Sequence, residues 1–233
     1  MVDVKQRAEL TRGISHEAIY RAIFRELGSR LPGGGHVLDV GCGRGHVWEV
    51  LAPLCSGYTG RDIVRHAGFP PDRTLVEHDL ERPPYPLPDG FADVVLACEV
   101  TPCLENPRAL VREMARLAKP GGWVVVTNPN CLSLLSLATL LLRGKFNAFQ
   151  DDGYPFMITP VLETDLLRMA MENGLEEVRI FYTGFGRIAY TGRTYPAWMA
   201  RRFPRLCSDH LGLIGRKPKV FEKAHDAGTG EPR

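Results

Sequence analysis

A glycine-rich turn directly after a short apolar stretch constrains the fold of this chain more than any other feature. The run from Val37 to Gly45 reads VLDVGCGRG, with one acid, Asp39, before the glycines. This pattern predicts the first strand of an α/β sheet, followed by a loop and then a helix over 46–54. Glycine has no Cβ and accepts positive φ, so the backbone of such a loop can lie against a bound ligand.

Three ligand-binding motifs compete for this loop. A phosphate-binding P-loop would need Gly-Lys-Ser/Thr at its end, which is absent. A dinucleotide fingerprint would need G-x-G-x-x-G, whereas the glycines at 41, 43 and 45 are spaced G-x-G-x-G and residue 46 is His. The carboxylate of Asp39 would also repel a pyrophosphate, and it suits a ligand with a cationic amino group. The motif therefore favours a third kind of ligand, a nucleoside that carries a cationic amino group.

Composition sets the class of protein. The 233 residues carry 44% hydrophobic and 24% charged residues with a net charge of +2, which predicts one α/β domain over 1–233 and makes nucleic acid an unlikely partner. The polar N-terminus and the short longest apolar run, Leu132 to Leu142, predict neither a signal region nor a membrane span, so we expect a cytoplasmic protein. Six cysteines without a CxxC pair predict reduced thiols and no metal site.

Apolar strands alternate with amphipathic helices along the chain. This order predicts a doubly wound, mainly parallel seven-stranded sheet with helices on both faces. Ser15 is the expected N-cap of the first helix, which covers 15–31. The remaining helices are expected at 106–117 and 164–173, and the strands at 37–40, 57–62, 74–79, 91–98, 123–127, 177–182 and 211–216.

Three acids lie in or at the ends of the first three predicted strands: Asp39, Asp62 and Asp79. Parallel strands bring their carboxyl ends to one rim of the sheet, so these side chains are expected to share a site. Asp62 could accept both ribose hydroxyls of an adenosine ligand, Asp79 the adenine amino group, and Asp39 a cationic amino group. Ile63 and Leu80 could enclose the adenine between them.

VLDVGCGRG closely resembles motif I of the class I S-adenosylmethionine-dependent methyltransferases. Residues 81–100 (ERPPYPLPDGFADVVLACEV) and 106–130 (NPRALVREMARLAKPGGWVVVTNPN) resemble later motifs of the same enzymes, and the resemblance covers roughly 33–217. The branch with ubiquinone-type O-methyltransferases and small-molecule and glycan methyltransferases is most similar. The resemblance implies S-adenosyl-L-methionine as cofactor, bound by Asp39, Gly41, Cys42, Gly43, Gly45, Asp62, Ile63, Asp79, Leu80, Cys98 and Glu99. It further implies methyl transfer to a small-molecule, lipid-linked or glycan acceptor, at oxygen rather than nitrogen or carbon.

Two positions depart from that branch. Relatives often carry a His after the fourth strand, where this chain has Cys103, and another before an Ile-x-Pro segment, where it has Met157. Both imidazoles that could act as bases are therefore missing. Other candidate bases are His46, His78, His210, Asp151, Asp152 and Tyr154, and the sequence assigns the catalytic role to none of them.

Two long insertions, 129–158 and 184–210, are predicted to form a cap over the cofactor. The run 132–142 is an apolar helix that could pack inside the cap, form the wall of a pocket for a lipid-like substrate, or contact a membrane surface or a second subunit. Arginines crowd the second insertion and could bind an anionic group. Candidate acceptor-binding residues are Asn130, Phe149, Tyr154 and Met157, and 218–233 is expected to be a flexible tail.

Two other functions remain open from the sequence. The missing histidines fit a protein with the methyltransferase fold that binds the cofactor without catalysis. A nicotinamide-dependent oxidoreductase is the other alternative, although the glycine spacing opposes it.

Overall fold

A seven-stranded sheet forms the centre of the structure, a computed structural model that describes residues 3–31 and 34–219. The strand order is β3-β2-β1-β4-β5-β7-β6, and β7 runs antiparallel to both of its neighbours while the other pairs are parallel. This is the mainly parallel sheet that the sequence predicts. The strands are β1 Gly35–Val40, β2 Cys55–Asp62, β3 Thr74–Glu77, β4 Ala92–Cys98, β5 Ala118–Pro129, β6 Glu176–Tyr182 and β7 His210–Arg216.

Helices cover both faces of the sheet. Strand β4 shows why, because Val94 and Leu96 belong to one apolar cluster while Val95 and Ala97 belong to the other. Side chains alternate between faces along a strand, so a strand that is apolar throughout needs cover on both sides. The helices are α1 Val4–Leu10, α2 Glu17–Leu27, α3 His46–Leu51, α4 Pro107–Leu117, α5 Leu134–Arg143, α6 Glu163–Glu172 and α7 Ala197–Arg202.

The order of the strands reverses between β1 and β4, and this reversal positions the site. The chain moves outward from β1 through β2 to β3, and then returns to place β4 on the other side of β1. The crossover connections leave a crevice beyond the carboxyl ends of β1, β2 and β4. Ligands of open α/β sheets bind at such a crevice.

Several expected boundaries are wrong. His16, rather than Ser15, is the N-cap of α2, because its Nδ1 accepts a hydrogen bond from the Ala18 N–H (3.1 Å). Strand β3 ends at Glu77, so Asp79 lies beyond the strand instead of at its end. Helix α1 was not predicted at all. The expected tail falls outside the described residues apart from 218 and 219.

The two insertions lie side by side. The first carries α5 and a short 3-10 turn, Asn147–Phe149, and the second carries α7. The Leu134 N–H donates to the carbonyl of Leu206 (2.9 Å), which joins the start of α5 to the segment after α7. In the described residues, no helix is long and apolar enough to cross a membrane.

Candidate active site

A cleft of about 190 Å³ opens beyond the carboxyl ends of β1, β2 and β4. One of its walls comes from the N-terminal segment, with Val4, Arg7 and Ala8 of α1. This wall was not predicted from the sequence. Of the eleven residues predicted to bind cofactor, nine line the cleft: Asp39, Gly41, Cys42, Gly43, Asp62, Ile63, Leu80, Cys98 and Glu99. Gly45 and Asp79 lie nearby but outside this lining.

The glycine loop needs glycine for two reasons. Gly41, Gly43 and Gly45 have φ of +72°, +52° and +74°, in the left-handed region that favours glycine. A Cβ at Gly43 would also lie 2.4 Å from the carbonyl oxygen of Gly13, and one at Gly41 would lie 2.3 Å from Val100 Cγ2. The loop at 43 is therefore pressed against the N-terminal segment, and Gly45 begins α3 as its N-cap.

Asp39 presents an unsatisfied carboxylate oxygen in this cleft. The side chain is buried, its Oδ2 accepts a hydrogen bond from the Tyr58 hydroxyl (2.7 Å), and its Oδ1 has no partner among the described residues. Burial raises the pKa of Asp39 to about 7; the Tyr58 bond opposes this rise and the nearby Asp62 charge adds to it. A buried acceptor without a donor is costly, so the site fits a ligand that brings a cationic amino group.

Asp62 braces the glycine loop from the end of β2. Its Oδ2 accepts from the Gly43 N–H (2.9 Å) and its Oδ1 from the Ile63 N–H (2.8 Å). Oδ1 also accepts from the Val64 N–H at 3.4 Å, so Oδ2 is the oxygen that keeps a free lone pair for a ribose hydroxyl. The same side chain can therefore hold the loop and bind a nucleoside.

Asp79 is held differently from the other two acids. Its Oδ1 accepts from the Glu81 N–H (2.9 Å), and Arg82 lies 3.3 Å from its other oxygen. Leu80, which follows it, lines the cleft together with Ile63. These two apolar side chains stand where a base could lie between them.

Glu99 and His210 form an ion pair at the wall of the cleft. His210 Nδ1 lies 2.6 Å from Glu99 Oε1, and Glu99 lines the cleft. Burial by itself lowers the pKa of His210, but the charge and hydrogen bond of Glu99 outweigh it, so the pKa is raised above its ordinary value. His16 stacks on His210 with ring centroids 5.9 Å apart, and its own pKa is lowered by burial and by the His210 charge. The pair can hold or accept a proton beside the cleft.

The backbone of Glu99 is also unusual. Its φ is +57°, a strained value for a residue with a side chain, and such strain is concentrated at functional sites. The Glu99 N–H donates to the carbonyl of Thr127 (3.1 Å) on β5, which fixes this conformation. The strained residue is thus the one whose carboxylate pairs with His210 at the wall of the cleft.

The two positions without the relatives' histidines both face this cleft. Cys103 and Met157 line it, and the Cys103 thiol lies 3.7 Å from the Glu99 carbonyl oxygen. Burial raises the pKa of Cys103 to about 12, so this side chain remains a neutral thiol. The imidazole beside this cleft therefore comes from β7, where His210 is one of the candidate bases that the sequence offered without assigning a role.

The predicted acceptor residues are not brought together. Met157 lines the cleft, while Asn130 lines a separate small cavity and donates its Nδ2 to the carbonyl of Arg205 (2.7 Å). Phe149 and Tyr154 line neither, and Tyr154 is 71% exposed. Within 3–31 and 34–219, no group of three or more His, Cys, Asp or Glu residues could hold a metal ion.

Comparisons with known proteins identify the family of this chain. Residues 14–179 match the model of a methyltransferase domain. A ubiquinone biosynthesis O-methyltransferase of Thiobacillus denitrificans is 33% identical over 174 residues, which cover 66% of this chain and 70% of the relative. A 2-methyl-6-phytyl-1,4-hydroquinone methyltransferase of Synechocystis is 36% identical over 107 residues, or 43% of this chain and 34% of the relative.

The fold also matches solved structures. A SAM-dependent methyltransferase from Archaeoglobus fulgidus superposes with a TM-score of 0.62 at 21% identity, over 92% of this chain and all of that one. The family match, the relatives and the fold together define a class I S-adenosylmethionine-dependent methyltransferase. The chain belongs to the methyltransferase domain family, and its cofactor is S-adenosyl-L-methionine. The comparisons give no support to the oxidoreductase alternative.

Proposed function

We propose that this protein is a cytoplasmic enzyme that methylates a hydroxyl group on a small aromatic acceptor with an apolar substituent. The observation that carries the proposal is the Glu99–His210 pair at the wall of the cleft. A hydroxyl is a poor nucleophile until it loses its proton, so its methylation benefits from a nearby base. The pair supplies one even though Cys103 and Met157 replace the imidazoles of the relatives.

Different residues of the cleft would bind different parts of the cofactor. The unpartnered Asp39 oxygen would bind its amino group, Asp62 its ribose hydroxyls, and Ile63 with Leu80 its base. When bound, the cofactor supplies an electrophilic methyl group on a sulfonium. The protein's own contribution is to orient the two reactants and to exclude water from between them.

The Glu99–His210 pair takes the proton of the acceptor hydroxyl. The two groups are hydrogen-bonded at 2.6 Å, so a proton taken by the pair lies between Glu99 Oε1 and His210 Nδ1. Glu99 lines the cleft and His210 does not, so the proton of the acceptor would reach the pair through Glu99. His16, whose lowered pKa keeps it neutral, stacks on the imidazole without adding another charge.

The acceptor class follows from the walls of the cleft and from the relatives. Apolar side chains form most of the lining outside the cofactor-binding residues: Val4, Ala8, Ile14, Val47, Val100, Leu104, Phe156 and Met157. Such walls favour an aromatic or lipid-linked acceptor over a glycan. Two relatives are named for ubiquinone biosynthesis and for a phytyl hydroquinone, and both names fit this class.

Turnover of methyl-labelled cofactor over a matched set of acceptors tests the proposal. The set contains hydroquinones and catechols with and without an apolar chain, the corresponding anilines, and a free sugar. We expect label in a methyl ether, identified by mass spectrometry, with higher kcat/KM for the acceptors that carry the chain. Label in a methylamine or on a ring carbon, with no ether formed, would overturn it.

A further inference from the structure

Exposed apolar side chains are concentrated on the two insertions. Of the twelve large apolar side chains that are exposed in the described part of the chain, eight lie within 129–158 and 184–210. Leu141 is 85% exposed and Trp198 is 69% exposed. Contiguous apolar patches are rare on monomeric proteins and mark interaction sites. We call six of these residues the cap face: Leu134, Leu141, Leu142, Trp198, Phe203 and Leu206.

Backbone hydrogen bonds join the part of the cap face on α5 to the part that follows α7. Leu134 and Leu141 are seven residues apart and share the exposed side of α5, opposite the buried Ser136 and Thr139. The Leu134 N–H donates to the Leu206 carbonyl at 2.9 Å, and the Leu206 N–H donates to the Phe203 carbonyl at 3.2 Å. These two bonds hold the start of α5 beside the segment after α7, so Leu134, Phe203 and Leu206 lie close together.

Exposed arginines border this surface. Arg143, Arg201 and Arg202 are exposed, and within the described ranges no carboxylate lies within salt-bridge distance of them. Arg143 lies over the ring of Tyr190 at 5.8 Å, and Arg202 lies over Phe203 at 5.0 Å. The cations are thus held beside the apolar side chains. They are available for anions outside the protein.

Acidic side chains do not cancel this charge. Asp151 of the same insertion is bound by Lys145 at 2.5 Å, and Asp209 is buried against Arg187 at 2.6 Å. Asp152 is exposed and carries the remaining negative charge of the two insertions. The border of the cap face is therefore net positive.

We propose that the cap face docks on a bilayer surface that contains anionic phospholipids. The leucines and Trp198 would enter the headgroup boundary, and the arginines would contact lipid phosphates, as in interfacial helices with basic borders. A second copy of this chain fits less well. A symmetric contact would bring the same arginines of both copies together without intervening acids. The inference rests on this surface alone and does not depend on the acceptor.

Vesicle sedimentation of the full-length protein tests the proposal. Vesicles of phosphatidylcholine alone are compared with vesicles of phosphatidylcholine mixed with phosphatidylglycerol, at low and high salt. We expect binding to the mixed vesicles that weakens with salt. The double variant Arg201→Glu/Arg202→Glu should lower this partitioning by roughly tenfold or more, since each basic side chain near an anionic surface adds to binding. Arg112→Glu, an exposed arginine on α4, is the matched control and should bind like the parent protein.

The apolar part of the face has its own pair of variants. Leu141→Ser/Leu142→Ser should also reduce binding, whereas Met171→Ser, at a side chain that is 68% exposed on α6, should not. Trp198 gives a direct signal, because its fluorescence should be quenched by lipids brominated on their acyl chains. Trp198→Phe should remove most of that quenching, because Trp123 is buried and Trp48 is partly buried.

Three results would overturn the proposal. The parent protein could fail to bind either kind of vesicle. The Arg201/Arg202 variant could bind as well as the Arg112 control. Light scattering could show a dimer in solution that Leu141→Ser/Leu142→Ser converts to a monomer, in which case a second copy covers the cap face.

Discussion

His210 Nδ1 lies 2.6 Å from Glu99 Oε1, although the two residues are 111 positions apart in the chain. The sheet brings them together, because β7 lies against β5 and β5 lies against β4. Glu99 follows the end of β4, and His210 begins β7 opposite Pro129 at the end of β5. The contact places a proton-holding group at the cleft wall without using either position where relatives carry a histidine.

The affinity for cofactor should depend on pH through Asp39. Its pKa is raised to about 7, so the carboxyl is partly protonated near neutral pH. A cationic amino group binds the ionised form, so affinity should fall as pH drops below about 7, approaching tenfold per pH unit. Calorimetry with S-adenosylhomocysteine from pH 5.5 to 8.5, roughly the range in which such a group titrates, measures this dependence.

Asp39→Asn is the control for that titration. This variant keeps the size of the side chain and removes its charge, so its affinity should be weak and insensitive to pH over the same range. A parent protein with flat affinity across the range would show that Asp39 does not face the amino group.

Asp62→Ala should weaken cofactor binding by about 2–3 kcal/mol, because charge-assisted bonds to ribose would be lost. The loop should also loosen, since Asp62 accepts the N–H groups of Gly43 and Ile63. Asp72→Ala, at an exposed acid outside the cleft, is the control. Unchanged affinity in a folded Asp62→Ala protein would show that this acid does not bind the nucleoside.

Gly43→Ala and Gly144→Ala separate backbone strain from steric contact. Both residues have positive φ, but a Cβ at Gly144 has open space while one at Gly43 meets Gly13. We expect Gly144→Ala to lower the free energy of unfolding by about 1–2 kcal/mol. Gly43→Ala should lose a further 1–3 kcal/mol or so, because the N-terminal segment must move. Urea denaturation measures both, and equal losses would mean that the N-terminal segment does not press on the loop.

Hydrogen exchange should reveal which element closes over the cofactor. Val4, Arg7 and Ala8 line the cleft, whereas no residue of α5 does so. Binding of S-adenosylhomocysteine should therefore slow exchange in residues 4–15 and leave 134–143 unchanged. Slower exchange in α5, with no change in the N-terminal segment, would show that α5 and not the N-terminal segment closes over the cofactor.

The cofactor half of the site could be predicted from the sequence because its signals are local. Strand β1, the glycine loop and α3 follow one another directly in the sequence, and Asp62 is the last residue of the next strand, β2. Asp79 shows the limit of this reasoning, since β3 stops at Glu77 and the acid then turns to the Glu81 N–H.

Helix α1 has a local signal, because Asp3 and Gln6 form a capping box at its start. Its place against the cleft depends on tertiary contacts, because Arg7 lies 3.5 Å from Glu81 and 3.8 Å from Glu105. The other missed features depend on tertiary contacts alone. The pairing of Glu99 with His210 depends on β7 entering the sheet between β5 and β6. The predicted acceptor residues all belong to the first insertion, and the structure separates Asn130 from Met157.

The pH profile of kcat/KM for the parent enzyme and for Glu99→Gln tests the central claim most directly. The parent should gain activity as pH rises through a pKa above the ordinary 6.5 of histidine, because the pair must release its proton before it can accept another. In Glu99→Gln the burial of His210 remains but the carboxylate is gone. The rise of kcat/KM with pH should therefore move to lower pH, and kcat should fall by about 10²-fold or more. His78→Asn, outside the cleft, should match the parent. If Glu99→Gln keeps the kcat of the parent and its kcat/KM rises over the same pH range, the Glu99–His210 pair is not the base.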